Sequence, residues 1–212
     1  MSKNKKKINS VEACFVLPDG YEERCRIDLQ KDRGLSLLVN GLALVVFIVG
    51  GIIGHRFVPV HIFYSMSEGM LLYFIRLAAM FGGAVLYIFL HEFVNGIFIK
   101  YYSGRKAKYG FTGLYAYAES QAYFNKKQYF IIALAPIVVW GIFLTILLIF
   151  VPKSWFWVVY FIQLMNLSGA SGDLYVVWKF SGMRENILIR DSGINMTVYA
   201  PAQEAGIEQG SR

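Results

Sequence analysis

The residues of this chain best suited to chemistry are His91 and Glu92, which stand side by side inside a long apolar run. Together with Asn95 they read H-E-x-x-N. The zinc signature H-E-x-x-H places two histidines on one helix face, with the glutamate poised as a general base. The stretch therefore matches a metal-dependent hydrolase motif except at its second ligand position, which Asn95 occupies.

A second polar stretch, Asn166–Asp173, interrupts another apolar run and ends in an aspartate. A carboxylate oxygen is, like an imidazole nitrogen, an ordinary zinc ligand. The small residues between them have two interpretations. They let a neighbouring helix approach closely, or they let their own helix unwind so that Asp173 reaches a metal. The sequence leaves both open.

The segments that carry these residues have the composition of membrane spans. Of the 212 residues, 56% are hydrophobic and 17% charged, whereas soluble domains average about 25% charged residues. Several windows exceed the ~18 consecutive apolar residues that mark a spanning helix. We therefore expect a protein embedded in the lipid bilayer. Its net charge of +7 then reflects basic segments at the membrane surface, not nucleic-acid binding.

We predict an all-α membrane protein with about four transmembrane helices and small β-hairpin elements on the cytosolic side. A cytosolic segment (1–34) precedes the membrane domain (35–180), and a cytosolic tail (181–212) follows it. The predicted spans are residues 35–54, 70–99, 129–151 and 155–179. Turn residues separate five β-prone runs, which are Val11–Leu17, Tyr21–Leu29, Phe111–Ala118, Ile187–Arg190 and Met196–Tyr199. The first two runs flank Pro18-Asp19-Gly20 and predict a hairpin.

The distribution of lysine and arginine predicts the orientation of the spans. Eight of these residues precede the first span, six lie around the loop between the second and third, and four lie in the tail together with Lys179. The other two connections hold one each. By the positive-inside rule, both termini of this multi-pass cell-membrane protein are cytosolic. We expect no secretory signal peptide, because the first 29 residues contain no apolar segment.

In this topology the second and fourth spans run in the same direction. His91 lies about 13 Å, and Asp173 about 9 Å, from the lysine that closes its span. The two side chains are thus expected to meet in the cytosolic half of the membrane, where a charged group needs a cavity, a partner or a metal. The remaining histidines, His55 and His61, fall on the outer side and cannot supply the missing ligand.

These residues, in this order, resemble the putative zincin peptidases, a bacterial membrane family distantly similar to site-2 proteases. The resemblance covers roughly Leu71–Tyr199. It rests on His91-Glu92 in one membrane helix, Ala133–Pro136 in the next, and Asn166 with Gly172-Asp173 later. In site-2 proteases the helical motif supplies two zinc ligands and the general base, and an aspartate near an asparagine in a later helix supplies the third ligand.

The resemblance implies zinc as a cofactor and assigns roles to the residues around it. His91 and Asp173 would be ligands, with Asn95 as a doubtful third, and Glu92 would be the catalytic base that activates a zinc-bound water. Asn166 would help to bind substrate. The strand-prone run around residues 111–118 would pair with an extended, membrane-associated peptide or protein substrate.

Asn95 leaves the activity open, because an amide oxygen is a weak zinc ligand compared with imidazole. The chain is a metallopeptidase relative with weakened or lost catalysis, a working peptidase that tolerates Asn95, or a bundle with a hydrogen-bonded polar pair and no metal. A non-catalytic membrane scaffold or binding protein on the same fold is the alternative of another class, and an ion-conducting transporter a weaker third. Glu119 is the one further carboxylate placed to help, although a solvated loop charge is the favoured explanation. Cys14 and Cys25 are expected to be reduced thiols.

Overall fold

The computed structural model describes residues 13–28, 31–111, 113, 116–193 and 195–202. The lysine-rich start, the ends of the first two β-prone runs and the last residues of the tail lie outside these ranges. The helices are α1 (Arg33–Phe57), α2 (His61–Tyr64), α3 (Met70–Ser103), α4 (Lys126–Phe150), α5 (Phe156–Gly169) and α6 (Ser171–Ser181). The strands are β1 (Tyr21–Asp28), β2 (Lys108–Phe111), β3 (Ala116–Glu119), β4 (Phe124–Asn125), β5 (Leu188–Asp191) and β6 (Asn195–Pro201).

Three helices in the described part of the chain, α1, α3 and α4, are long and apolar enough to cross a membrane. Many of their large apolar side chains are exposed, as expected of surfaces that contact lipid. Both α1 and α4 begin at capping side chains, since Asp32 accepts a hydrogen bond from the Leu35 N–H and Asn125 forms a capping box with Gln128. These features agree with the first three predicted spans.

The fourth predicted span, residues 155–179, is not one helix. It divides at Ala170 into α5 and α6, and the Ser171 hydroxyl donates a 2.7 Å hydrogen bond to the carbonyl oxygen of Ser168. Serine side chains that bond to nearby backbone groups compete with the helical pattern. The 14 residues of α5 extend about 21 Å, less than the ~30 Å hydrocarbon core of a bilayer. The break places Asp173 in the first turn of α6, where a carboxylate is favoured by the helix dipole.

Helix α5 packs against all three long helices. Its contact with α1 is close because Gly54 lies directly under the Tyr160 ring, where a Cβ atom would collide with the aromatic carbons. The Tyr160 hydroxyl also donates a 2.7 Å hydrogen bond to the Gly50 carbonyl oxygen. The glycines of α1 therefore allow a close helix–helix approach.

A four-stranded antiparallel sheet, in the order β1-β6-β5-β4, covers one end of the helices. The predicted strands Ile187–Arg190 and Met196–Tyr199 are confirmed as the β5–β6 hairpin, which turns at Gly193 with a φ of 76°. Apolar side chains of the sheet, the start of α4 and α6 form one buried cluster. Both described ends of the chain thus lie on the same side of the helices.

The predicted N-terminal hairpin is wrong in its pairing. The turn at Pro18-Asp19-Gly20 forms, with the Tyr21 N–H donating to the Pro18 carbonyl oxygen and Gly20 at a φ of 81°. The residues before it run elsewhere, however, because Cys14 pairs with Tyr123. Strand β1 pairs with β6 instead, so its partner comes from the far end of the sequence.

Both cysteines are free and partly buried. Burial raises the pKa of the Cys14 and Cys25 thiols above the ordinary value, although Lys179 partly opposes this at Cys25. Since the thiolate is the reactive form, we expect both to react several-fold more slowly with iodoacetamide at pH 8 than glutathione does. Alkylation followed by mass spectrometry checks this, with the denatured protein as the control. A native rate equal to the denatured rate would contradict it.

Candidate metal centre

The motif residues lie in the second half of α3, where this helix packs against the β2–β3 hairpin. Two contacts fix the helix at this level. The indole N–H of Trp140 donates a 3.3 Å hydrogen bond to the Leu90 carbonyl oxygen. On another face the Tyr109 ring of β2 lies directly over Gly96, where a Cβ would collide with its hydroxyl. The helix, the hairpin and α4 together position His91 and its neighbours.

His91 and Asp173 are brought together across the α3–α6 contact. The Nε2 atom of His91 lies 3.7 Å from Oδ2 of Asp173, and both side chains are mostly buried. The break between α5 and α6 places Asp173 in the first turn of α6, and from there its carboxylate lies next to His91 of α3. Of the two interpretations of the small-residue stretch, the unwinding of the helix is therefore seen in the structure, whereas a metal ligand role for Asp173 is a separate matter.

A hydrogen-bonded chain fixes the ring of His91. The Asn166 amide nitrogen donates to the Ile137 carbonyl oxygen at 3.2 Å, which leaves Oδ1 of Asn166 to accept from the Tyr87 hydroxyl at 2.8 Å. The only proton of that hydroxyl is thereby used, so its oxygen must accept from Nδ1 of His91, 3.0 Å away. Nδ1 therefore carries the proton, and the Nε2 lone pair faces Asp173. This is the tautomer that a metal-binding histidine needs.

The same chain includes Asn166, whose expected role in binding substrate stays a prediction. Its side chain is fully buried, and both ends of its amide are occupied by Tyr87 and Ile137. A substrate would have to displace these bonds to reach it. Asn166 therefore acts inside the bundle, through Tyr87, on the orientation of His91.

Glu92 and Asn95 bond to each other. The Asn95 amide nitrogen donates a 3.3 Å hydrogen bond to Oε2 of Glu92, and the backbone N–H of Ala118 in β3 also faces this carboxylate. Oδ1 of Asn95 is buried and has no hydrogen-bond partner. The amide nitrogen of Asn95 thus contacts the glutamate that a zinc peptidase would use as its base, whereas its amide oxygen, a weak zinc ligand, is left without a partner.

Two residues that the sequence interpretation missed lie around this pair. Tyr87 is one helical turn before His91, a spacing that could have identified it. Asp191 is the last residue of β5. This strand contains no motif, so nothing in the sequence indicates that Asp191 lies near the site. It lies close enough to Glu92 and Asp173 for their charges to act on one another.

Asp191 is held by the Gly193 N–H at 2.8 Å and by the Tyr129 hydroxyl at 3.2 Å. Burial raises the pKa of its carboxyl to about 6, and these two hydrogen bonds oppose the rise. The charge of Glu119, on β3, acts in the same direction as burial. Glu119 is therefore an electrostatic neighbour of Asp191 and is not part of the His91–Asp173 contact.

The other two histidines lie at the opposite end of the helices. Nδ1 of His55 accepts a 3.1 Å hydrogen bond from the Val60 N–H just beyond α1, and His61 begins α2. The distance from the start of α1 to His55 is about 33 Å along the helix axis. Neither histidine can complete a site at His91.

The donors present fit only part of a zinc site. The 3.7 Å between His91 and Asp173 is close to the roughly 3.3 Å that separates two ligands on a tetrahedral zinc. A catalytic zinc needs three protein ligands, but the described residues contain no group of three histidine, cysteine, aspartate or glutamate side chains able to hold a metal. The third position falls to the Asn95 amide, which is a weak donor. The set is therefore incomplete for zinc.

Comparison with known proteins gives one match. The sequence pattern of a family described as "Putative zincin peptidase" matches residues 84–188, which include the H-E-x-x-N stretch, Asn166 and Asp173. The matched region leaves out α1, β1 and Asp191. No curated protein and no solved structure matches the chain.

Proposed function

Since the chain belongs to the putative zincin peptidase family, we propose that it is a membrane-embedded metallopeptidase relative whose catalysis is weakened or lost. In this proposal His91 and Asp173 are the retained metal ligands, and Glu92 is the former general base. Both termini and the sheet lie in the cytosol, as the basic residues indicate. The protein contacts a membrane-associated peptide at the cytosolic end of α3.

One observation carries this proposal, namely the hydrogen bond from Asn95 to Glu92. A histidine at position 95 would add a ligand, whereas Asn95 adds at most a weak one and donates a hydrogen bond to the carboxylate beside it. Asparagine in place of histidine at position 95 therefore lowers the affinity for metal and also occupies the carboxylate of the general base. His91 nevertheless keeps the tautomer and the Asp173 contact of a ligand, which favours descent from a metal site over a polar pair that never bound metal.

The test is cleavage of a synthetic single-span membrane peptide by the purified protein in detergent with zinc present. We expect no cleavage above background for the natural chain and measurable cleavage for the Asn95→His variant. Cleavage by Asn95→His must be abolished by a second change, Glu92→Gln, which keeps the shape of the side chain but removes the base. Cleavage by the natural chain that Glu92→Gln abolishes would show a working peptidase and overturn the proposal.

The second candidate function is peptide binding without hydrolysis. It is favoured by an exposed aromatic pair where the β2–β3 hairpin packs on α3, formed by Phe111 of β2 and Phe89 of α3. A hairpin of this kind supports an extended peptide by strand addition, with the aromatic rings as side-chain contacts. In this case Glu92, which is hydrogen-bonded to Asn95 and Ala118, has a structural role and takes no part in peptide binding.

This candidate predicts different outcomes at two positions. Binding of the membrane peptide should fall about tenfold in Phe111→Ala, because an aromatic anchor is removed, and should change less than twofold in Glu92→Ala. Phe57→Ala, which removes another exposed phenylalanine at the far end of α1, is the control. Fluorescence anisotropy of a labelled peptide measures all three. Equal losses in Phe111→Ala and Glu92→Ala would contradict binding independent of the former catalytic site.

A further inference from the structure

A polar cavity of about 440 Å³ lies at the end of the helices opposite the sheet. It forms where α2, the start of α3 and the connection between α4 and α5 meet. Its lining combines basic and hydroxyl side chains with one carboxylate, and includes His61, Ser65, Ser67, Glu68, Arg76, Lys153 and Ser154. None of these residues belongs to the His91–Asp173 site.

Arg76 forms the floor of this cavity and is 1% exposed. Its guanidinium donates at 2.8 Å to Glu68 and at 2.8 Å to the Ser65 carbonyl oxygen, while its Nε–H has no hydrogen-bond partner. A buried arginine in an apolar helix is costly and usually marks a site that uses its charge. One carboxylate balances this cation, but nothing in the lining balances the second cation, Lys153.

The side chains that line the cavity therefore have a net charge of +1. Arg76 and Lys153 contribute two positive charges, Glu68 contributes one negative charge, and His61 is counted as neutral. The hydroxyl groups of Ser67 and Ser154 also line the cavity, and the Ser67 hydroxyl lies 2.9 Å from that of Ser65. Such a set matches an anion of single charge with several acceptor oxygens.

The surface around the cavity is apolar. Leu71 is 75% exposed, and Ile149 and Phe150 at the end of α4 are 74% and 78% exposed. Tryptophan and tyrosine side chains next to the cavity, at the start of α5, are typical of the membrane–water interface. An anion that binds here would thus have hydrocarbon close beside it.

From this arrangement we propose that the cavity binds the phosphodiester headgroup of an anionic phospholipid. The phosphate oxygens accept from Lys153 and the serine hydroxyls, Arg76 supplies charge from below, and the acyl chains lie along α3 and α4. A free phosphate shares the headgroup chemistry but gains nothing from the apolar rim. The headgroup of a zwitterionic lipid also carries a positive charge. Lys153 would repel that charge, so the cavity disfavours such a lipid.

The test uses the full-length protein in nanodiscs of equal parts phosphatidylglycerol and phosphatidylcholine. After transfer to detergent, native mass spectrometry counts the lipids retained. We expect the natural chain to retain phosphatidylglycerol preferentially, and Lys153→Glu to lose that retention about tenfold, since the change reverses a charge at the headgroup. Arg56→Glu reverses an exposed charge at the same end of the helices but outside the cavity, and should behave as the natural chain.

Three outcomes would overturn the proposal. These are equal retention in Lys153→Glu and Arg56→Glu, equal retention of the two lipids by the natural chain, and displacement of the lipid by millimolar inorganic phosphate, which would identify free phosphate as the ligand. Thermal unfolding of both variants verifies the fold, because Lys153 and Arg56 are exposed and neither change should lower the melting temperature.

Discussion

Replacing Asn95 with histidine should raise the affinity of the purified protein for zinc by about 100-fold or more. Loss of an outer partner of a metal ligand already costs ten- to a hundredfold in affinity, and gain of a ligand itself has a larger effect. Position 95 lies one helical turn after His91, on the same face of α3. The change also frees Oε2 of Glu92 from its 3.3 Å hydrogen bond to Asn95.

A competition titration against a chromophoric zinc chelator at pH 7 measures this gain. Asn40→His is the matched control, since it adds the same imidazole to an exposed position of α1 and should leave the affinity of the natural chain unchanged. If Asn95→His and Asn40→His bind zinc equally, the amide at position 95 is not what limits the site, and the account of a lapsed ligand fails.

Replacing Tyr87 with phenylalanine should release the ring of His91. The hydroxyl is the acceptor that keeps the proton on Nδ1, so its removal lets the neutral imidazole adopt the other tautomer, with its proton on Nε2 toward Asp173. We expect a mixture of tautomers in the ¹⁵N spectrum of His91 and, in an Asn95→His background, a ten- to hundredfold loss of zinc affinity.

Tyr160→Phe controls for the loss of a hydrogen-bonded tyrosine hydroxyl. This tyrosine also donates one hydrogen bond, to Gly50 in α1, but makes none to the His91 site. Tyr87→Phe should destabilise the protein by about 1 kcal/mol, because it leaves the buried Oδ1 of Asn166 without a partner. Tyr160→Phe should cost less, because the Gly50 carbonyl oxygen also accepts a backbone hydrogen bond inside α1. A His91 spectrum that is the same in Tyr87→Phe and Tyr160→Phe would contradict the positioning role of Tyr87.

The sequence predicts those parts of the structure that depend on local patterns. Apolar runs mark the long helices, and the depths of His91 and Asp173 along their predicted spans lead us to expect the contact that the structure has. The β5–β6 hairpin follows from two β-prone runs around a glycine turn, Gly193. Each of these features is set by neighbours in the sequence or by the bilayer thickness.

The parts that the sequence did not predict depend on distant contacts. Strand β1 could not be assigned to β6, because pairing across nearly the whole chain leaves no local signal. The break at Ala170 was offered only as one of two interpretations of the small residues. Asn166 was assigned to substrate by analogy, whereas its burial and its bond to Tyr87 are properties of the packed helices.

The most direct test of the central claim is the zinc content of the natural chain. Protein purified at neutral pH from zinc-supplemented cells, without chelators, is analysed by inductively coupled plasma mass spectrometry beside the Asn95→His variant. The account predicts well under one zinc per chain for the natural protein and close to one for the variant. One tightly held zinc in the natural protein, lost on His91→Ala, would contradict it.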